Sequence, residues 1–125
     1  MHSSGSTSSS PIPLFAKGFR PFFLGAAALA VLALPIWLAF FAMGTDAVPY
    51  FGPMYWHAHE MVFGFAVAVI AGFLLTAASN WTSRPTATGG WLGALCLVWI
   101  AGRAAPWLGG VVPDEVLATV SLAFL

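Results

Sequence analysis

From Phe22 to Phe41 the chain runs for 20 residues without a charged side chain. At about 1.5 Å of helix per residue this covers roughly 30 Å, the thickness of a bilayer's hydrocarbon core. Few folds are open to such a run, because a backbone in lipid must satisfy its own hydrogen bonds, as a helix or a closed barrel does. The run shows no polar/apolar alternation, so a helix is expected, kinked at Pro35. Two further apolar runs follow at 54–78 and 91–108. Turn formers separate the three: Gly44, Asp46, Pro49, Gly52 and Pro53 in the first connection, and the stretch NWTSRPTATGG (80–90) in the second. Arg103 interrupts the third run, and Pro106 and a glycine pair end it.

Pro113, Asp114 and Glu115 then read as a helix start, since acidic residues favour the first turn. Residues 114–125 supply about 18 Å of helix at 1.5 Å per residue, too little to cross a bilayer. The expected fold is an all-α, polytopic transmembrane protein with three full spans and the start of a fourth. Residues 14–125 would form the N-terminal part of a larger membrane domain, and the serine-rich residues 1–13 a disordered tail.

Composition agrees. Hydrophobic residues make up 60% of the chain and charged ones 6%, against about 25% charged in an average soluble domain. Mean hydropathy is +0.91. Four basic residues balance four acidic ones, so nothing is left over to neutralise phosphates, and nucleic acid is excluded as a partner. Cys96, the single cysteine, has no intrachain partner and no CxxC context, and reads as a small buried thiol. Lys17 and Arg20 before the first span and Arg84 after the second, against Asp46 alone in the first connection, place the N-terminus in the cytoplasm. Trp56, Trp81, Trp91 and Trp107 fall near span ends, as an interfacial aromatic belt would.

The chemistry concentrates in YWHAHEMVFGF (55–65), at the mouth of the second span. Ionisable groups within a membrane are costly and by default functional. On a regular helix, at about 100° per residue, His57 and Glu60 share a face with Gly64, Ala68 and Gly72. This small-residue ladder admits either another helix or a flat ligand close to the backbone, and the flat ligand would sit against Gly64 with His57 as its ligand. His59 falls on the other side, with Phe63, Ala66, Ile70 and Phe73, a bulkier surface suited to lipid or another neighbour. Neutral imidazole suits haem iron and copper, and Met61 offers a soft thioether for Cu(I). The bland alternatives are interfacial histidines bonded to loop carbonyls and a methionine used for packing. Glu60 and Arg103 should lie at similar depth. They are read either as an ion pair, or as an anion-binding arginine with Glu60 orienting a histidine. Arg20 reads as a snorkelling anchor. There is no nucleophile with an adjacent base, no phosphate-cradling loop and no catalytic carboxylate pair.

Three stretches together, PLFAKGFRPFFLGA (13–26), WHAHEMVFGFAVAVIAGFLLTAASNWT (56–82) and WIAGRAA (99–105), resemble the N-terminal part of the NnrS family of bacterial inner-membrane proteins. The resemblance implies a multi-pass haem- and copper-containing protein linked to nitric oxide metabolism and resistance to nitrosative stress, often in denitrifying bacteria. It makes His57 and His59 the leading candidates for cofactor ligation and marks Arg20, Glu60, Asn80, Trp81 and Arg103 as signature positions. It also implies, as partners, the lipid bilayer, the remainder of a longer chain and an electron donor. The enzyme question stays open. Two other readings stand beside it: a transporter or channel that passes protons or metal ions through the HxHE mouth, and a scaffold for a site built elsewhere.

Overall fold

The structure is a computed structural model that describes residues 19–44 and 52–125. The tail and most of the first connection, including Lys17 and Asp46, lie outside the described residues. Among these residues the chain is helical, without a strand.

Helix α1, Phe19–Met43, is built from Ala, Leu and Phe. It continues through Pro35, whose missing N–H leaves one carbonyl of the preceding turn without its helical donor. It stops at Gly44, whose φ of +61° is the left-handed conformation that ends helices and that glycine adopts without strain. The second span begins at Pro53, where a missing N–H costs nothing in the first turn. It has three parts: α2 (Pro53–His59), a π-helical turn (Glu60–Ala66) and α3 (Val67–Thr82). Ser83, at φ +51°, closes it. Helix α4, Gly89–Ala104, ends in a 3-10 turn, Ala105–Leu108, where Pro106 prevents continuation of the α-helix. A short reversal through Gly109 and Gly110 then leads into α5, Asp114–Leu122, whose first turn carries both acidic residues.

Three helices are long and apolar enough to cross a membrane: Phe19–Met43, Pro53–Thr82 and Gly89–Leu108. Each extends a few residues beyond the apolar run that marks it in the sequence. The second has 30 residues, about 45 Å at 1.5 Å per residue, so its end turns reach past a core of roughly 30 Å.

The second span runs antiparallel to α1, as three contacts along it demonstrate. Gly72 lies against Phe22 and Phe23, Gly64 lies under Leu29, and His57 stacks on Trp37. The ladder of Gly64, Ala68 and Gly72 is therefore occupied by α1, the helix of the two partners that such a ladder admits. A Cβ at position 64 would collide with Leu29, so α1 uses the whole clearance that the glycine provides. One core cluster joins Phe22, Ala26, Ala68, Leu92 and Trp99. A second joins Ala33 and Trp56, with Trp37, Phe40 and Met61 packed around them. Helix α5 packs back on α4, where Gly102 faces the carbonyls of Val120 and Ser121. Large apolar side chains such as Val31, Phe41 and Leu97 point outward, as befits helices whose solvent is hydrocarbon.

Candidate functional site

Glu60 is the first residue of the π turn and is 1% exposed, a carboxylate placed wholly among protein atoms. Both of its oxygens have partners within ionic reach. His59 Nδ1 lies 3.2 Å from Oε1, and Arg103 Nε, from the last turn of α4, lies 3.2 Å from Oε2. The expected equal depth of Glu60 and Arg103 is thus realised as an ion pair between two spans. The pair is close without being well aimed: Glu60 Oε2, Arg103 Nε and Arg103 Nη1 form no directed hydrogen bond. Its attraction is mainly Coulombic, in surroundings where breaking the pair would leave a buried charge.

Gly64 makes room for this arrangement. A Cβ there would stand 3.0 Å from Arg103 Nη1 and 3.1 Å from Glu60 Oε2, besides meeting Leu29. One turn before Arg103 on the same face of α4, Trp99 donates its indole N–H to the Gly64 carbonyl at 3.1 Å. The Arg103 guanidinium lies 6.0 Å from the Trp99 ring centroid, at the edge of cation–π range. Trp99 stands in the WIAGRAA stretch, yet nothing in its type or position marks it as part of a site. Its spacing of four from Arg103 is the one available signal.

His57 keeps to the α1 face with Gly64 and Gly72, as a regular wheel has it, but His59 and not His57 reaches the Glu60 carboxylate. His57, expected beside Glu60, stacks on Trp37 with ring centroids 4.7 Å apart and planes at 22°, and its buried Nδ1 has no hydrogen-bond partner. His59, expected on the opposite side, has a side chain 11% exposed that contacts Glu60, with its ring 5.0 Å from Phe63. Further down the same wheel stripe, Ile70 and Phe73 are 54% and 58% exposed. The stripe is broken by the π turn, which adds a residue to the helical repeat and rotates everything above it relative to everything below. An ionised carboxylate can only accept, so this contact suits the His59 tautomer that donates from Nδ1.

The remaining expected residues are not gathered here. Arg20 is exposed at the beginning of α1, and Asn80 and Trp81 are exposed at the end of α3. The antiparallel register puts all three at the other end of the bundle, roughly 30 Å from Glu60 at 1.5 Å per residue. As orienting groups for these histidines, Asn80 and Trp81 are out of reach. Met61 packs beside Ala33 and Trp56. Among the described residues no three His, Cys, Asp or Glu side chains converge on a point that could hold a metal ion. Among the described residues, what converges here is the His59–Glu60–Arg103 cluster.

Comparison with known proteins finds no curated protein and no solved structure that matches the chain. The family model described as NnrS protein does match, over residues 13–125, which takes in all three spans, the His59–Glu60–Arg103 cluster and α5. With that match over nearly its whole length, the chain belongs to the NnrS family of membrane proteins.

Proposed function

We propose that this protein binds haem and acts in nitric oxide metabolism or resistance to nitrosative stress, with His59 as the residue that would hold the haem iron. The observation that carries the reading is the 3.2 Å contact from His59 Nδ1 to a buried Glu60 that Arg103 in turn neutralises. Metal-bound histidines typically donate their second ring nitrogen to a carboxylate, which fixes the tautomer and raises ligand basicity. His57 lacks such a partner and serves to pack against Trp37. Haem, when bound, supplies a redox-active iron able to bind nitric oxide. The chain's own contribution is to hold the imidazole in one orientation against Glu60 and to neutralise that carboxylate with Arg103. A copper centre would need ligands from beyond the described residues. The N-terminus is cytoplasmic in this proposal, in the inner membrane of a bacterium, which puts His59 toward the outer face.

The test is the visible spectrum of the purified protein, oxidised and reduced. Wild type should show a Soret band, His59→Ala should lose or shift it, and His57→Ala should keep it. A second reading, a path for protons or metal ions, draws on the same buried imidazole–carboxylate contact. A wild-type protein with no Soret band that conducts either ion in proteoliposomes would replace the first reading with the second.

A further inference from the structure

We infer that Trp99 is a positioning residue that holds the second span in its π turn and so sets the rotation of the His57–Glu60 turn against the rest of the span. A π turn is an unusual way to continue a helix and is frequent at functional sites. Here the Val67 N–H is shared between the carbonyls of Val62 and Gly64 at the end of the turn. The Gly64 carbonyl gains a second donor from Trp99, across a sequence separation of 35 residues and in a buried setting.

The indole is not free to leave. A Cβ on Gly25 would stand 3.1 and 3.2 Å from its ring carbons, so α1 already presses on the far side of the ring. Leu29 sits over Gly64 from the same helix. Below the turn, Gly72 is locked against Phe22 and Phe23. If the turn relaxed to a regular α-helix, the lower half would stay and the outer half would rotate by about one residue's step, roughly 100°. Glu60 would then swing away from Arg103, and His59 would be reoriented with it. The span that carries the histidines therefore does not set their direction; the neighbouring span does.

The consequence for a cofactor rests on the His59 reading above, while the rotation itself does not, so the experiment reads both. In the full chain in lipid nanodiscs, with Cys96 changed to serine, nitroxide labels go on Tyr55→Cys and Val111→Cys, exposed positions at the histidine end of the second span and just beyond α4. Trp99→Phe keeps an aromatic ring without the N–H, and Trp99→Leu removes the wedge as well. The spin–spin distance distribution should split in Trp99→Phe and move by several ångströms in Trp99→Leu. Trp99→Phe keeps the test decisive if Trp99→Leu does not fold. Unchanged distributions in a folded variant overturn the inference, including the case in which haem is lost without any rotation. Moved distributions with an unaltered haem spectrum uphold the positioning role and overturn His59 as ligand.

Discussion

Glu60 and Arg103, from the start of one span and the end of the next, meet at 3.2 Å with the carboxylate fully buried and the guanidinium 12% exposed. The carboxylate has next to no contact with solvent. Removing one partner of a buried pair typically costs about 3–5 kcal/mol, because the other is left uncompensated. Arg103→Gln should therefore lower thermal stability in detergent by about that amount. Glu60→Gln/Arg103→Gln together should recover much of the loss. A double variant as unstable as the sum of the singles would show that the two residues act independently.

Glu60→Gln alone separates orientation from charge. The amide keeps the size of the side chain and offers His59 a weaker acceptor. Changes to the group that orients a metal-bound histidine usually lower metal affinity about 10- to 100-fold. Haem titration of Glu60→Gln should show a weakening of that order. Affinity equal to wild type would remove Glu60 from the ligand's support.

Gly64→Ala probes the closest approach between α1 and the second span. Its Cβ would collide with Leu29 and crowd Arg103 Nη1. Overpacking of a tight contact costs about 1–3 kcal/mol. Leu29→Ala should relieve the collision and leave only its own cavity cost. A thermal melt of the three variants reads this as coupling: Gly64→Ala should be better tolerated in the Leu29→Ala background than in wild type.

Gly102 plays the corresponding part between α4 and α5, where Val120 and Ser121 carbonyl oxygens lie 3.3 Å from the position of a Cβ. Alanine there forces a small adjustment, and valine forces α5 away. Leu117, buried against this interface at 2% exposure, should then become accessible. A thiol reagent applied to Leu117→Cys in a Cys96→Ser background should react slowly in the parent and at least several-fold faster in Gly102→Val.

His57 and Trp37 form a stacked pair, and offset aromatic contacts contribute about 0.5–1.5 kcal/mol beyond the area they bury. His57→Phe keeps the stack and removes the unpaired buried Nδ1. Thermal stability should be equal to or above wild type, with haem content unchanged. Loss of haem in a stable His57→Phe protein would return His57 to the role of ligand.

The spans were legible because their cause is local. A charge-free run of membrane length must close its backbone hydrogen bonds within itself, and Gly44, Pro53, Pro106 and the Asp114–Glu115 start mark where the helices stop and begin. The depth match of Glu60 and Arg103 was legible for the same reason: alternating spans bring the start of one level with the end of the next. The small-residue ladder was legible as a close approach, but its partner was not, since nothing in Gly64, Ala68 and Gly72 says that Leu29 and Phe22 will fill it. The contact of His59, rather than His57, with Glu60 was hidden, and so was the break in the His59–Ile70–Phe73 stripe. A helical wheel assumes a constant turn, and the turn changes at Glu60. That change is held by an indole on another span and by a leucine on a third, at sequence separations that no local pattern encodes. Sequence alone thus determined that this chain has three runs long and apolar enough to cross a membrane and places its ionisable chemistry near the mouth of the second. Tertiary packing decided which histidine faces the carboxylate, because direction around a helix depends on what the neighbouring helices press against it.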